Sequence, residues 1–267
     1  MIFYLREART SIIIAAVLRK LLSRATGLAA KIPIPPPLRA SLYGSYARRY
    51  SANLGEAERS PREYRSFDDF FTRRLRPGSR SIDPAANSIV SPVDGSVSAC
   101  GAIEGNSLFQ AKGLSYSLRD LFGGDSRHAG LEGGYFLTLY LAPGDCHRVH
   151  APLDIEVLDA NRIGGTLRPV RTKQVQTVPN LFCENERVAC FWKTSGGSAA
   201  FVLVGALNVG SVELLCKPGA KAAKGKEIAV FHLGSTVILL LPKGKAALEK
   251  LSPGDRVRIG QRVGVLT

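Results

Sequence analysis

The sequence lacks an apolar run long enough to cross a bilayer as a helix. The uninterrupted run between Arg9 and Arg19 is only nine residues long, whereas a spanning helix needs roughly 20. The sequence also lacks a CxxC pair, and its five scattered cysteines are odd in number, which argues against a disulfide framework or a zinc ribbon. We therefore expect a reducing compartment and no membrane-spanning helix.

Acidic residues are scarce relative to basic ones. The chain has 36 lysines and arginines against 22 aspartates and glutamates, for a formal net charge of +14, which favours an anionic partner. It shows no zinc-finger spacing, no aromatic-glycine RNA-binding signature and no dense basic block, so nucleic acid is not the expected partner. An anionic membrane surface fits the charge better.

The N-terminal region carries much of this charge. The first fifty residues contain nine lysines and arginines and a single acid, Glu7, interleaved with apolar patches. This pattern predicts a basic amphipathic helix that lies in the lipid interface, with Arg19, Lys20 and Arg24 near the headgroups. A helix that packs on the protein's own core and a cleaved targeting peptide are the alternatives.

Several local signals divide this helical region. The segment Ile32 to Pro37, IPIPPP, predicts a stiff linker, because successive prolines remove backbone donors. Ser60 to Glu63 reads as a capping box with proline at the first helical position, and Ser66 opens another short helix that ends before Pro77. We expect residues 1–78 to form a helical, membrane-associating region.

The pattern changes from Ser79 onward to short β-type runs separated by glycines. Turn glycines alternate with β-branched residues between Gly254 and Val265, which suits a compact barrel or sandwich. The expected fold class is therefore α+β, with N-terminal membrane-associated helices followed by a β-rich barrel or sandwich over residues 79–267. The runs that predict strands are Gly134 to Leu141, Ala199 to Val204, Val209 to Leu215 and Ile228 to Leu233.

The most informative stretch is LGSTV, Leu233 to Val237, which separates two apolar β-type runs. At a sharp bend a serine hydroxyl can attack the carbonyl just before it, because Gly234 has no Cβ to block the approach. Such a peptide can cut itself. A simple strand kink is the alternative, because isolated glycines in strands often mark bulges or close backbone contacts.

Other motifs accompany this bend. They are FFTRRL at 70–75, SPVDG at 91–95, QAKG at 110–113, CHRVHAP at 146–152, NER at 185–187 and VGA at 204–206. Together with LGST they closely resemble the phosphatidylserine decarboxylases of the membrane-bound bacterial and mitochondrial type. The resemblance runs from about Phe70 to the C-terminus, and the order of the motifs makes it specific.

The resemblance implies a proenzyme that cleaves itself between Gly234 and Ser235, giving a β chain of residues 1–234 and an α chain of residues 235–267. Ser235 Oγ would attack the Gly234 carbonyl, and the resulting ester would undergo β-elimination. The dehydroalanine left behind would lose ammonia to become a pyruvoyl group, so the cofactor derives from Ser235. By family analogy, His150 is the base that activates the hydroxyl and Asp94 orients that base.

A second reaction follows from the same resemblance. The pyruvoyl ketone would form a Schiff base with the amine of phosphatidylserine and accept the electrons released with CO2, leaving phosphatidylethanolamine. His147 is the family's candidate for the acid that returns a proton to the substrate carbon. The implied partners are phosphatidylserine in an anionic membrane, the α and β chains of the cleaved proenzyme, and a second copy in a symmetric homodimer.

The implied location is the cytoplasmic face of a cell inner membrane, with peripheral or monotopic attachment. No long presequence precedes the catalytic half, so we expect a bacterial membrane. In a eukaryote the corresponding site would be the mitochondrial inner membrane.

Each candidate residue also has a simpler interpretation. Asp94 followed by Gly95 can make a turn between strands. His147 and His150 can be metal ligands, but residues three apart in a strand point to opposite faces, so no metal site is expected. Cys146 beside a histidine can be a nucleophile, although small buried cysteines are common.

Two further sets of residues are candidates for lipid contact. The apolar set lines a path for acyl chains or simply belongs to the core, which is the favoured interpretation: Phe70, Phe71, Leu114, Tyr116 and Leu121. The basic set meets phosphate or the lipid surface, or is merely solvated: Arg73, Arg74, Arg76 and Lys112. Two other histidines, His128 and His232, lie in no motif and are expected to be structural or exposed, and strand propensity explains Thr236 as well as a role in orienting the bond does.

Two other functions stay open on the sequence alone. One is a pyruvoyl-dependent decarboxylase of a soluble amino acid, against which the basic apolar N-terminus argues. The other is a noncatalytic membrane-bound module that resembles biotin or lipoyl carrier sandwiches, in which Ser235→Ala would change nothing.

Overall fold

We describe the chain from a computed structural model. The described residues are 18, 21–195, 197–206, 211–232 and 235–267, with the backbone alone at Ser211 and Ser235. The predicted bond between Gly234 and Ser235 therefore lies partly outside the described residues, as does the predicted interfacial helix before residue 18.

The linker between the first two helices is shorter than the sequence predicts. Residues 21–31 are helical (α1), and the next helix, α2, spans Pro36–Tyr50. Only residues 32–35 connect them, because Pro36 and Pro37 form the first turn of α2, where a missing N–H costs no intrahelical hydrogen bond. The predicted helix after Ser66 is confirmed as α3, Phe67–Phe71, and the Ser66 side chain accepts a hydrogen bond from Asp69 N.

The helix predicted at Ser60 is wrong. The side chain of Glu63 does accept a hydrogen bond from Ser60 N, at 2.6 Å, but the chain there forms only a turn. Ser66 already caps the following helix, so too few residues remain between the two caps to complete a helical nucleus.

The rest of the chain is mostly β within the described residues. Its short helices are α4 (Leu118–Leu121), α5 (Thr172–Thr177) and α6 (Leu181–Glu184). Its strands are β1 (Ser88–Val90), β2 (Gly95–Ala102), β3 (Ser107–Ala111), β4 (Leu114–Ser117), β5 (Tyr135–Leu141), β6 (Arg148–His150), β7 (Ile155–Ile163), β8 (Arg187–Thr194), β9 (Gly197–Val204), β10 (Ser211–Leu214), β11 (Lys221–Ala222), β12 (Glu227–His232), β13 (Ser235–Leu241), β14 (Ala246–Leu248), β15 (Arg256–Val257) and β16 (Arg262–Leu266).

An eight-stranded antiparallel sheet forms the centre, in the order β11-β7-β8-β9-β13-β5-β2-β15. Two three-stranded sheets, β1-β16-β14 and β10-β12-β6, and the hairpin β3-β4 surround it. The mixed helix and sheet class is confirmed. Within the described residues the sheets do not close into a barrel, because the large sheet ends in two-residue edge strands, β11 and β15, that do not pair with each other.

The two faces of the large sheet bury different cores, because side chains alternate along each strand. Val237, Leu239 and Leu241 belong to a core shared with the two small sheets. Ile238 and Leu240 face the other core, which the hairpin and the short helices cover. Strand β13 therefore lies between the two cores and contributes side chains to both.

Aromatic side chains join the helices of the N-terminal region to one another, and Phe71 packs on the sheet. Tyr43 of α2 stacks on Phe70 of α3 with ring centroids 4.4 Å apart, and Phe71 joins the second core. Tyr116 and Leu121 are buried in that core as well, so the core interpretation of these apolar residues is supported. Among the described residues no helix is both long and apolar enough to span a membrane.

Candidate active site

The LGST segment connects two sheets. Strand β12 ends at His232 in a small sheet, and β13 begins at Ser235 in the large one. Residues 233 and 234, between them, lie outside the described part of the chain. Ser235 pairs through its backbone with Leu141, the last residue of β5. The predicted cleavage position is therefore at the point where the chain changes sheets.

The SPVDG segment packs directly against the strand that carries His150. Ser91 Oγ donates to the Val93 carbonyl at 2.7 Å, closing a tight bend. The Pro92 carbonyl then accepts a hydrogen bond from His150 N at 2.8 Å. Asp94 ends this bend, so the sequence-predicted pair Asp94 and His150 is brought to one place by backbone contacts.

Gly95 is required by packing as well as by the bend. It is the first residue of β2, and a Cβ built there would lie 2.7 Å from the Tyr140 carbonyl oxygen. No real side chain tolerates that distance to a backbone atom. The Asp-Gly pair thus sets how closely β2 approaches β5, beyond forming a turn.

The Asp94 carboxylate is held by Arg80, which sequence reasoning missed. Arg80 Nη2 lies 2.6 Å from Asp94 Oδ2, and Arg80 Nε lies 2.9 Å from Oδ1. Oδ1 also accepts a hydrogen bond from Ile259 N at 2.9 Å. Glu56 binds the same guanidinium at 2.8 Å. No hydrogen bond between described atoms joins Asp94 to His150, so in this state the carboxylate is committed to Arg80.

The environment of His150 favours its neutral form. Its Nδ1 is buried and has no hydrogen-bond partner among the described atoms. Burial lowers the pKa of His150 below its usual 6.5, and the nearby carboxylates of Glu227 and Asp94 offset only part of that effect. An uncharged imidazole with a lone pair can accept a proton from a hydroxyl near neutral pH.

His147 is fully buried beside Phe71, with ring centroids 3.9 Å apart. Its Nδ1 lies 3.0 Å from the Asp145 carbonyl oxygen, which can only accept, so Nδ1 carries the proton. Its Nε2 is buried without a partner. Burial, together with the charge of Arg73, lowers the pKa of His147 to about 3, so Nε2 presents a lone pair and must gain a proton before it can give one.

Two buried polar atoms, one of them at the start of β13, have no hydrogen-bond partner among the described atoms. Thr236, the residue after Ser235, is buried opposite Tyr140, and its Oγ1 has no partner among the described atoms. His147 Nε2 is in the same condition. Buried polar atoms normally find a partner; the Thr236 hydroxyl can donate a hydrogen bond, whereas His147 Nε2 with its lone pair can only accept one.

The motifs VGA and NER support the same end of the sheet. The side chain of Asn185 is fully buried, and its Nδ2 donates to the Gly205 carbonyl at 2.9 Å. Arg187 pairs with Val204 across β8 and β9, and its buried guanidinium donates to the Leu121 carbonyl at 2.7 Å. These side chains fix the loop that leaves β9 and make no contact with Asp94.

The remaining motif and cysteine candidates have structural roles. Gln110 of the QAKG motif is buried and donates to the carbonyls of Val175 and Val178, which ties the hairpin to α5. Lys112 is exposed at the hairpin turn, with φ of +47°. Burial raises the pKa of the Cys146 thiol to about 11, so that group stays protonated and is a poor nucleophile.

Like the Arg80–Asp94 pair, the ion pair of His232 with Asp68 was not indicated by the sequence. It is the last residue of β12, and its Nδ1 lies 2.9 and 3.0 Å from the two carboxylate oxygens of Asp68. Its Nε2 lies 3.2 Å from Glu213 Oε2. The imidazole thus joins α3, β10 and the strand that leads into the predicted cleavage position.

Comparison with known proteins agrees with these motifs. Residues 67–265 match the family model described as phosphatidylserine decarboxylase. The chain is 41% identical over 263 residues to a protein of Anaeromyxobacter sp. (strain K) named phosphatidylserine decarboxylase proenzyme, covering 91% of this chain and 93% of the relative. A relative of the same name from Marinobacter nauticus is 39% identical over 265 residues, with the same coverage of both chains.

His232 makes the folded state sensitive to pH. Hydrogen bonding to Asp68 raises the pKa of His232 above 6.5 although burial opposes it. A raised folded pKa adds stability that is complete below the unfolded pKa and is lost as pH rises through the folded pKa. We expect His232→Gln to lower the free energy of unfolding by about 1–2 kcal/mol at pH 5.5 and by much less well above the raised pKa.

The measurement is the free energy of urea unfolding of the parent and of His232→Gln, from pH 5.5 to a pH well above the raised pKa of His232. His128→Gln is the matched control, because His128 makes its short contact with its own loop, at the Asp125 carbonyl. A difference between parent and His232→Gln that stays constant with pH would contradict the charged bridge.

Proposed function

The chain belongs to the phosphatidylserine decarboxylase family, and we propose that it cuts itself between Gly234 and Ser235 and then converts phosphatidylserine to phosphatidylethanolamine and CO2. The observation that carries the proposal is the position of His150. This half-buried histidine has a buried Nδ1 and a lowered pKa, and its backbone N–H donates to the bend that ends in Asp94. Its strand pairs with β12, which leads directly to the predicted cleavage position.

His150 performs the first proton transfer of self-cleavage in this proposal. It takes the proton of the Ser235 hydroxyl as Oγ adds to the Gly234 carbonyl, and the amide becomes an ester. Loss of the Cα proton of residue 235 to a base then breaks the Cβ–Oγ bond, which leaves a carboxylate on Gly234 and a Cα=Cβ double bond at position 235. Asp94 stabilises the imidazolium formed at His150, for which its carboxylate has to exchange Arg80 for the imidazole.

The dehydroalanine at position 235 rearranges to an imine, which water hydrolyses; ammonia leaves and the ketone oxygen of a pyruvoyl group comes from the water. This group supplies an electron sink for decarboxylation. Support for this group comes from the unpartnered Thr236 Oγ1, whose hydroxyl would donate to one of its oxygens, and from the unpartnered His147 Nε2, which is left free to accept a proton. Both atoms are buried, so water competes little for these positions.

His147 moves a proton twice in this scheme. Its pKa of about 3 means that Nε2 begins unprotonated. It therefore first accepts the proton that the substrate ammonium must lose before the nitrogen can react. After CO2 has left, it returns that proton to the substrate carbon, and Nδ1 stays bound to the Asp145 carbonyl throughout.

We also propose that the helical region rests on an anionic membrane, at the cytoplasmic face of a bacterial inner membrane. Its support is a set of large apolar side chains exposed in and around α1 and α2. They include Leu21, Leu22, Leu28, Ile32, Leu38 and Leu42. Basic residues such as Arg24 and Lys31 are exposed in the same stretch. Apolar surface combined with cations is the pattern of an interfacial helix. A symmetric homodimer is part of the proposal and is supported by the family resemblance.

Intact mass under denaturing conditions tests self-cleavage. We expect the parent protein to give chains of 234 and 33 residues, with the smaller chain lighter than its sequence by the change from serine to pyruvoyl. Ser235→Ala should give one uncut mass, because no hydroxyl is present to attack. Ser252→Ala, an exposed serine, is the matched control and should be cut like the parent. An intact parent chain with full decarboxylase activity would sink the proposal.

The two histidines can be separated by scoring cleavage and decarboxylation independently. His150→Ala should remain uncut. His147→Ala should be cut but should lose about 10²- to 10⁴-fold in kcat, the usual contribution of a positioned acid–base group. Release of CO2 from phosphatidylserine vesicles is the readout. A cut His147→Ala protein with parental kcat would remove His147 from the mechanism.

Membrane attachment is tested by co-sedimentation with vesicles of phosphatidylserine and phosphatidylcholine. The double variant Leu22→Glu/Leu28→Glu should lose at least tenfold in binding, because two leucines inserted in lipid contribute more than about 2 kcal/mol. Leu158→Glu is the matched control, because Leu158 is an exposed leucine on β7. Equal binding of the parent and the double variant would place the contact elsewhere.

A further inference from the structure

A charged cavity of about 170 Å³ lies beside Asp94 and the loop that precedes His147. Four arginines and three acids line it together with polar and small residues. The charged residues are Arg73, Arg80, Arg256, Arg258, Glu56, Asp94 and Asp145. A water molecule occupies about 30 Å³ of liquid volume, so the cavity can accept a phosphate-sized anion with some of its water.

Arg73 is the unusual member of this lining. Only 2% of its surface is exposed, which overturns the solvated interpretation of this residue. Its Nη2 donates to the Gly144 carbonyl at 2.7 Å and more weakly to the Asp145 carbonyl at 3.5 Å, and its Cζ lies 5.3 Å from the centre of the Phe70 ring. Nε and Nη1 are buried and have no partner among the described atoms.

A buried guanidinium in this condition is costly to the folded protein. Buried charges are normally paired with an opposite charge, yet no carboxylate among the described residues lies within ion-pair distance of Arg73. An unsatisfied buried donor costs about 1–3 kcal/mol, and more when it is charged. This cost is removed if an anion enters the cavity.

The acids in the lining do not offer that anion, because other arginines already hold them. Arg80 binds both Glu56 and Asp94, at 2.8 and 2.6 Å. Arg256 binds Asp145 at 2.5 Å. Arg258 is exposed, and its side chain has no carboxylate partner within the described parts of the chain. Two of the four guanidinium groups, Arg73 and Arg258, are therefore available to a ligand.

We propose that this cavity is a binding site for a phosphate-type anion, held by Arg73 and Arg258. The planar fork of a guanidinium matches two oxygens of a phosphate group. The anion is either the phosphodiester of a lipid headgroup or free phosphate.

The headgroup source rests on the proposed function and has a geometric argument. The side chains of Arg73 and His147 both donate to the Asp145 carbonyl. A phosphodiester bound to Arg73 would therefore lie close to the imidazole that moves the proton. Arg73 would then be a specificity-determining residue that fixes the headgroup relative to His147.

Binding is tested first without catalysis, on the full-length Ser235→Ala protein. Thermal unfolding is followed as inorganic phosphate replaces chloride at constant ionic strength. We expect Tm to rise with phosphate concentration, as for any ligand that binds only the folded state. Arg258→Gln should reduce the rise, and Arg73→Lys should reduce it further, whereas exposed Arg119→Gln, outside the cavity, should not.

The source of the anion is tested on the active protein with phosphatidylserine in phosphatidylcholine vesicles. If the headgroup is the ligand, phosphate inhibits competitively and Arg258→Gln raises KM about tenfold or more while kcat changes little. If free phosphate is the ligand, it raises Tm without competing with the lipid. The inference is overturned if phosphate neither raises Tm nor competes and Arg258→Gln has the parental KM. The Tm measurement uses the uncut Ser235→Ala protein and does not depend on self-cleavage. A failure of self-cleavage would be detected by intact mass and would leave the phosphate-binding result unaffected.

Discussion

Strand β13 is hydrogen-bonded along both edges, to β5 on one side and to β9 on the other, and the rest of the candidate site depends on this pairing. Its residues Val237 to Leu241 are completely buried, so the strand cannot shift by one residue without moving apolar side chains to the wrong core. The register therefore fixes Ser235 as the first residue of β13. The strand that precedes it in the chain, β12, belongs to a small sheet.

Burial around this junction determines the protonation of the histidines. His147 and His150 lose their water, and the pKa of each is lowered because the charged form is poorly solvated. His232 lies at the end of the neighbouring strand, but its pKa is raised because a carboxylate contacts its ring. Thus the neutral form is favoured at His147 and His150, and the protonated form is favoured at His232, whose ring contacts a carboxylate.

The sequence predicted the β-rich half well, because its strands are apolar runs separated by glycine. Runs such as 134–141 and 199–204 correspond to β5 and β9. The barrel and the helix at Ser60 were not correct, because closure and helix growth depend on partners that no local pattern encodes. The edge strands of the large sheet have only two residues each and do not pair with each other. The capping box at Ser60 is followed too soon by the N-cap Ser66 for a helix to form between them.

The charged contacts of the site were the least predictable from sequence. Arg80 and Asp94 are 14 positions apart, and His232 and Asp68 are 164 positions apart. Nothing in the residues around Arg80 separates it from the other arginines of this basic chain. The motifs located Asp94 and His150 correctly near one another, through the contact of Pro92 with His150 N. They could not indicate that the Asp94 carboxylate is bound to an arginine.

The same strand pairing explains how a chain cut before Ser235 can stay assembled. Residues 235–267 contain β13 to β16, and each of these strands pairs with a strand outside that segment or with one that does. β13 lies between β5 and β9, β15 pairs with β2, and β16 joins β14 to β1. Burying the five residues from Val237 to Leu241 contributes on the order of 10 kcal/mol. A new end at Ser235 would therefore be held by the pairing of β13 with β5 and β9, without a covalent link to β12.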